Sequence, residues 1–412
     1  MVIKIIVMLM VVLSSAYNVV LNIVRYRSAS NPIPDTVSDV YDSETYLKWK
    51  RYSAEHCRLN FVFEIISCIA ALVLLGFNAY AWFADLMPAS AFFAVIILET
   101  VVGMLIDTVR NYISTMVIEQ KYGFNRSSLK TFIFDCIKKT IFTFCFSSML
   151  VYIIWVLHSN LGDRMLLLFV AAVFCFFLLA AFLSPVFMRI GNKFVPLEEG
   201  ELKDRIMALL TKHGYKVKAI KVMDASRRTT KLNAYFTGFG KLKTIVLYDN
   251  LVNSMTTDEI CAVFAHEMGH GLHKDVLKGQ IENIGNIFLM SVVVWLVARE
   301  PSLYAAFGFE YLNYGFTYIL AGIALGLLNP FTSMIRNIRS RAAEYRADKQ
   351  AVSDGYGEAT ITALKKLARD NFSHLSPSRL DVIMEYSHPP LAQRIERVRN
   401  EMDKMNENKE VK

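Results

Sequence analysis

Long apolar stretches constrain this chain more than any other feature of its sequence. Hydrophobic residues make up 54% of its 412 residues, which is too many for an ordinary soluble domain. Seven stretches are each close to the roughly 20 residues that cross a bilayer as a helix. The predicted spans are residues 2–24, 61–84, 89–109, 141–158, 165–188, 281–298 and 312–334. The sequence therefore predicts an all-α, polytopic membrane protein with seven transmembrane helices.

Basic residues in the loops predict the orientation of these spans. Six lie between spans one and two and six follow span three, whereas residues 85–88 have none and the two other alternate loops have only Arg164 and Arg299. The basic loops are expected on the cytoplasmic side, so the N-terminus lies outside and residues 189–280 and 335–412 both face the cytoplasm. Cleavage of the first stretch as a signal peptide after Ser14-Ser15-Ala16 is the alternative, but it breaks this alternation.

These boundaries divide the chain into four predicted parts. Residues 1–188 hold five spans, 189–280 form a cytoplasmic segment, 281–334 hold the last two spans and 335–412 form a second cytoplasmic segment. The net charge of +8 fits basic loops at a membrane surface and requires no nucleic acid. The six scattered cysteines show no spacing typical of a disulfide framework.

The first cytoplasmic segment contains the H-E-x-x-H motif His266-Glu267-Met268-Gly269-His270. On a helix, His266 and His270 lie one turn apart on the same face, where both imidazoles can bind one zinc ion. Thr256 and Glu259 form the pattern of a capping box, which predicts that this helix begins just before the motif. Glu267 is then placed to act as general base and acid in hydrolysis by zinc-activated water. Gly269 suggests close packing of this helix.

A catalytic zinc ion takes a third protein ligand. Glu344 and Asp348 lie one helical turn apart in the second cytoplasmic segment, so Glu344 is the candidate ligand and Asp348 could orient a ligand histidine. The mixed charges around them are also typical of a solvated helix face, and charge alone favours that alternative.

Two further patterns concern the substrate. Glu64, Glu99 and Asp107 interrupt the spans, which suggests a hydrated internal space, although Glu64 and Asp107 could instead lie at the interface. Short β-like runs, one from Val217 to Met223 and the other at 244–248, flank residues 232–240. An edge strand there, including Asn233 and Ala234, could pair with a peptide backbone, or the segment could be a turn.

Motifs along nearly the whole chain resemble the membrane zinc metalloproteases of the CAAX prenyl protease 1 type, in peptidase family M48. They are Tyr122-Gly123-Phe124-Asn125, Pro196-Leu197-Glu198-Glu199-Gly200, Asn233-Ala234-Tyr235-Phe236-Thr237-Gly238, H-E-x-x-H, the run from Ser340 to Asp348, and Ser387-His388-Pro389-Pro390-Leu391 with Arg394. The resemblance implies seven helices around a large hydrated chamber, with a zincin-like metalloprotease domain containing a small β element at its cytoplasmic end.

The resemblance also implies roles for individual residues. His266, His270 and Glu344 would hold one zinc ion, and Glu267 and Asp348 would serve catalysis. His388 and Arg394 would stabilise the oxyanion, while Asn233 and Ala234 would align the substrate. Gly271 and Asp275 stand where eukaryotic-type members usually have Trp and His, and the displaced His273 is not assigned to the metal.

The sequence leaves three functions open. The first is removal of the C-terminal tripeptide from prenylated CAAX proteins; the second is membrane-protein quality control without prenyl specificity; the third is a non-enzymatic seven-span receptor or transporter. For the proteases we expect a monomer in contact with membrane lipid and a peptide or protein substrate. Its membrane would be the endoplasmic reticulum in a eukaryote or the cytoplasmic membrane in a bacterium, with the active site facing the cytoplasm.

Overall fold

Helices dominate the computed structural model, which describes residues 1–189, 192–237 and 244–410. The helices are α1 Val2–Ser28, α2 Ser43–Gly76, α3 Ala79–Asp85, α4 Ala91–Tyr112, α5 Leu129–Leu161, α6 Met165–Arg189, α7 Glu201–Lys212, α8 Asp249–Ser254, α9 Thr257–Leu272, α10 Asp275–Ala298, α11 Pro301–Ala305, α12 Tyr314–Ser353, α13 Gly357–Asp370, α14 Arg379–Glu385 and α15 Leu391–Glu410. A π-helical segment, Ile113–Glu119, continues α4. The strands are β1 Phe194–Pro196, β2 Ala219–Met223, β3 Ala234–Thr237 and β4 Thr244–Tyr248.

Six helical stretches of the described chain are long and apolar enough to cross a membrane. One of them, Leu129–Leu179, takes in α5 and most of α6, and therefore covers two of the predicted spans. The predicted fold class, a mostly helical multi-span protein with a small β element, is confirmed. The number of crossings and their orientation stay predictions.

The membrane helices enclose a cavity of about 590 Å³. Glu64 and Glu99 are among its lining residues, and the Tyr80 hydroxyl donates a hydrogen bond to Glu99 Oε2 at 2.5 Å. Asp107 lines a neighbouring cavity and forms an ion pair with Lys139, with Nζ 2.7 Å from Oδ2. Glu64 and Glu99 therefore line internal space, whereas Asp107 is half exposed, and its location at the membrane interface stays an alternative.

Helix α12 joins two elements that the sequence suggests as separate. It runs unbroken for 40 residues and contains Pro330, so the predicted last span and the helix of Glu344 and Asp348 are one element. The predicted boundary at residue 334 lies inside this helix. Because the helix is continuous, the membrane bundle and the residues of the second cytoplasmic segment share one rigid support.

The four strands form one sheet in the order β1-β2-β4-β3. Strands β2 and β4 are parallel and confirm the two β-like runs, whereas β3 is antiparallel to β4. Ile220 and Ile245 from the sheet pack in one apolar cluster with Ile206 of α7 and Phe264 of α9. The sheet is thereby fixed against the H-E-x-x-H helix, with β3 at its edge.

Helix α9 begins with the predicted capping box, in which Thr256 and Glu259 bond each other's backbone amides. It packs closely on α12 at Gly269, where an added Cβ would lie 3.0 Å from Ala347 Cα and 3.0 Å from Gln350 Cβ. The close packing predicted for Gly269 is therefore present.

A second glycine sets the approach of α12 to α4. A Cβ on Gly315 would lie 2.1 Å from the carbonyl oxygen of Phe92 and 2.9 Å from Val95 Cβ. We expect Gly315→Ala to destabilise the protein by about 1–3 kcal/mol, because overpacking forces the helices apart. Gly322→Ala on the same helix is the control, since no atom lies within 4 Å of its added Cβ. Thermal unfolding in detergent measures both; equal melting temperatures for the two variants would contradict this packing.

Candidate active site

The two histidines of α9 and Glu344 of α12 converge on one point. Their ligand atoms all lie within 4.8 Å of one another. Nε2 of His266 is 3.4 Å from Glu344 Oε2, and Nε2 of His270 is 3.3 Å from Glu344 Oε1. The helix predicted from spacing thus presents both imidazoles to the carboxylate of a residue 74 positions after His270 in the chain.

His266, His270 and Glu344, which we call the metal triad, fit a zinc ion. Two imidazole nitrogens and one carboxylate oxygen are a ligand set that zinc takes in hydrolases, leaving a fourth position open. The Glu344 side chain is only 5% exposed, and its Oε2 has no hydrogen-bond partner of good geometry. A buried carboxylate oxygen without such a bond is costly, and a cation at this point would satisfy it.

A carboxylate and an arginine fix the first histidine. Nδ1 of His266 lies 2.8 Å from Asp348 Oδ1, which leaves Nε2 directed toward Glu344. Arg394 donates to both oxygens of Asp348, at 2.7 and 2.9 Å. We call this pair the Asp348–Arg394 clamp. Burial alone would lower the pKa of His266, but its hydrogen bonds with Asp348 and Glu344 outweigh burial and raise that pKa to about 9.

Glu267 differs from the other acidic residues of the site because no described residue donates a hydrogen bond to its carboxylate. Its surroundings are largely buried, and this desolvation raises its pKa, an effect that the nearby His266 and His270 only partly offset. A carboxylate with a raised pKa can both accept and release a proton near neutral pH, as a general base and acid must.

The remaining predicted residues occupy different places. His388 lies at the open side, with its side chain 64% exposed and Nδ1 2.9 Å from Glu344 Oε2. Arg394 is buried, and its Nη1 is 3.4 Å from the same Glu344 oxygen. The structure therefore brings both residues to the metal triad, but only His388 is open to a substrate.

In its described part, the predicted substrate segment contains a strand, Ala234–Thr237. Ala234 begins β3 and packs on the same apolar cluster as Ala265 and Met268 of α9. Asn233 accepts a backbone hydrogen bond from Tyr248, so the outward-facing backbone groups at the start of β3 belong to Ala234. Gly238, the last residue of this motif, lies outside the described residues.

Sequence reasoning missed three residues of the site. Asp275 contacts His270, with Oδ2 3.2 Å from Nδ1, and Arg346 pairs with the other Asp275 oxygen at 2.7 Å. Asn371 was also missed: its side chain bonds both backbone groups of Leu232, just before the substrate strand. The signal for Asp275 was an acidic residue directly after the motif helix, at a position otherwise noted only as a departure from the family pattern.

Comparisons with known proteins agree with this geometry. Residues 196–402 match the model of peptidase family M48, and residues 22–189 match that of the CAAX prenyl protease N-terminal region, five membrane helices. CAAX prenyl protease 1 of Saccharomyces cerevisiae is 30% identical, over 90% of this chain and 89% of the relative. The human homolog is 26% identical, over 90% of each chain.

The fold is similar to a solved structure as well. The crystal structure of S. mikatae Ste24p superposes with a TM-score of 0.90 at 27% identity, covering 96% of this chain and 99% of that one. The family resemblance carried by the sequence motifs is confirmed across both halves of the molecule. This chain belongs to peptidase family M48, among the membrane-spanning metalloproteases of the CAAX prenyl protease 1 type.

Proposed function

We propose that this metalloprotease holds one zinc ion through His266, His270 and Glu344 and removes the C-terminal tripeptide from prenylated CAAX proteins. The observation that carries the proposal is the convergence of the three ligand groups beside a half-buried Glu267 whose carboxylate is free to move a proton. Relatives covering about nine-tenths of the chain are named CAAX prenyl protease 1, which supports the substrate class. Membership of a peptidase family excludes the receptor or transporter alternative.

Glu267 moves the proton in the proposed reaction. A bound zinc ion would supply Lewis-acid chemistry, polarising the scissile carbonyl and making water a better nucleophile. Glu267 accepts a proton from the attacking water and donates it to the leaving amine, so the carboxylate is regenerated at the end of the cycle. Its raised pKa suits both steps.

His388 and Arg394 stabilise the charge that develops on the oxygen of the scissile carbonyl. His388 is exposed and close to Glu344, so its imidazole can donate a hydrogen bond to the oxygen of the scissile peptide bond. Arg394 acts from behind, because its Nε and Nη2 donate to Asp348 and its Nη1 lies 3.4 Å from Glu344 Oε2. Its charge adds to the local positive potential, and the Asp348–Arg394 clamp keeps His266 in one tautomer.

The outer edge of β3 supplies the surface that aligns the peptide. In an antiparallel ladder alternate residues direct their backbone groups away from the partner strand. Ala234 is such a residue, and among the described residues its N–H donates a hydrogen bond only to Oδ1 of the neighbouring Asn233, at 2.9 Å. An extended substrate can displace this side chain and add a strand to the sheet.

The membrane half of the protein suits a lipid-bearing substrate. The 590 Å³ cavity is walled mainly by apolar side chains such as Leu150, Phe169 and Ile319. With the orientation predicted from loop charges, the metal site faces the cytoplasm and this cavity lies in the membrane. One protomer contains every proposed site residue, so no second copy is required.

Glu267→Gln tests the chemistry. We expect cleavage to fall by about 10²- to 10⁴-fold, the usual contribution of general acid–base catalysis, while bound zinc stays near one ion per chain. Purified protein in detergent, a farnesylated CAAX peptide and elemental analysis provide the measurements. Glu358→Gln, at an exposed site on α13, is the control and should keep full activity. Undiminished cleavage by Glu267→Gln, or by wild-type protein after chelation, would refute the mechanism.

Prenyl specificity is tested separately, with two peptides that differ only in the lipid. We expect the farnesylated peptide to be cleaved with at least a tenfold higher kcat/KM, which corresponds to about 1.4 kcal/mol of additional binding in the transition state. Equal values would favour the quality-control alternative, in which prenylation plays no part. The zinc chemistry would be unaffected by that result.

Ala234→Pro tests the substrate strand. Proline removes the outward N–H of residue 234 without removing a hydrogen bond to β4, so we expect kcat/KM to fall roughly fivefold or more, as for the loss of one hydrogen bond of about 1 kcal/mol. Ala234→Ser keeps the N–H and should retain activity. Metal content and melting temperature are measured for both. Wild-type kcat/KM in the proline variant would rule out pairing at this edge.

A further inference from the structure

The second histidine of the metal triad has its own carboxylate. Oδ2 of Asp275 lies 3.2 Å from Nδ1 of His270, on the side of the ring opposite the nitrogen that faces Glu344. The other carboxylate oxygen, Oδ1, accepts a hydrogen bond from Arg346 Nη2 at 2.7 Å. The arrangement has the same parts as the Asp348–Arg394 clamp on His266: an imidazole, an aspartate and an arginine.

A sharp turn brings Asp275 back to the motif helix. Helix α9 ends at Leu272, and Lys274 has a φ of 56° in the left-handed region. This conformation is uncommon and unfavourable for a residue other than glycine, so the surrounding contacts must hold it. Asp275 is then the first residue of α10, where the positive end of the helix dipole also favours a carboxylate.

Cationic side chains surround the carboxylate of Asp275. Its side chain is 11% exposed, and Lys278 adds a second cation with Nζ 3.5 Å from Oδ1. Arg346 donates to Oδ1, and Oδ2 lies against Nδ1 of His270. Oδ1 of Asp275 is therefore taken by Arg346 and Lys278, and Oδ2 is the oxygen that contacts the His270 imidazole.

We propose that Asp275, held by Arg346, is the positioning residue for the metal ligand His270. Its carboxylate accepts the Nδ1 proton, which fixes the tautomer with Nε2 free and makes that nitrogen a stronger donor to a cation. This inference rests on the proposed assignment of His266, His270 and Glu344 as zinc ligands. It does not depend on which peptide the enzyme cleaves.

The same carboxylate joins three helices. His270 lies on α9, Arg346 follows Glu344 by two residues on α12, and Asp275 starts α10, whose apolar part Leu277–Ala298 is a candidate span. A membrane helix thus begins at a contact with the metal site. Loss of Asp275 would release His270 and, at the same time, the point where α9, α10 and α12 meet.

A purely structural ion pair between Asp275 and Arg346 is the competing explanation. It predicts that removing the carboxylate lowers the melting temperature without changing how tightly the site holds a metal ion. If Asp275 positions His270, removing the carboxylate instead weakens and alters metal binding in a protein that still folds. Metal binding rather than cleavage therefore distinguishes them.

Asp275→Asn provides the test, because the amide keeps the shape of the side chain and loses its charge. In full-length protein in detergent, competition with a chelator should show zinc affinity reduced by about 10- to 100-fold, as for the loss of comparable outer partners. The absorption bands of the Co²⁺-loaded protein should shift, because the ligand field at His270 changes. Arg346→Gln should also weaken zinc binding, but by a smaller factor than Asp275→Asn.

Asp354→Asn is a matched control. Asp354 is also buried and also pairs with a histidine and a cation, with Oδ1 2.7 Å from both His213 Nε2 and Lys212 Nζ, but His213 is not in the metal triad. We expect this variant to lose thermal stability and to bind zinc with wild-type affinity.

Two results would overturn the inference. One is wild-type zinc affinity and an unchanged Co²⁺ spectrum in Asp275→Asn; the other is an equal loss of affinity in Asp354→Asn, which would mean that general destabilisation is the cause. If the wild-type protein itself bound no zinc, the proposed function would fail instead. If the protein bound zinc but did not cleave the CAAX peptide, the zinc affinities of Asp275→Asn and Asp354→Asn would still test the positioning role of Asp275.

Discussion

The close packing of α9 on α12 is the contact on which the active site depends. At Gly269 the two backbones approach so closely that an added Cβ would lie 3.0 Å from Ala347 Cα. Because Gly269 lies between the two motif histidines and Ala347 lies between Glu344 and Asp348, this contact sets the distance from imidazoles to carboxylates. A bulkier side chain here would separate the triad, which makes the glycine a requirement of the chemistry despite its cost in helix propensity.

Charge balance explains why so many ionised groups can share one site. Four carboxylates and two guanidinium groups lie in or beside the triad: Glu267, Asp275, Glu344, Asp348, Arg346 and Arg394. Even with Lys278 beside Asp275, the carboxylates of this set outnumber its cationic side chains, and a cation held by the triad would offset the excess negative charge. Buried charges are tolerated only when compensated. The same reasoning explains why burial can raise the pKa of Glu267 while Asp348 and Asp275 stay ionised beside arginines.

Local patterns in the sequence predicted most of the site, and contacts set by the fold account for what was missed. The capping box and the i, i+4 spacing define the faces that carry His266, His270 and Glu344, and hydropathy locates the spans. Asp275 could not be placed in this way, because its approach to His270 depends on a left-handed Lys274 that no adjacent glycine or asparagine announces. The continuity of α12 was missed because the predicted span 312–334 was defined by its apolar residues, and hydropathy does not show that the same helix continues into the polar residues around Glu344.

The joined helices suggest how one enzyme can act on a peptide attached to a lipid. Helix α12 extends without interruption from the membrane bundle to Glu344, and α10 enters the bundle directly from Asp275. The cavity among the spans and the metal triad are therefore fixed to the same two helices, while β3 is fixed to α9 through the apolar cluster around Phe264. A substrate whose lipid lies among the spans and whose peptide pairs with β3 would have its scissile bond held by both ends. Rigid placement of this kind converts binding energy into orientation at the reacting atoms, which is where a hydrolase gains rate.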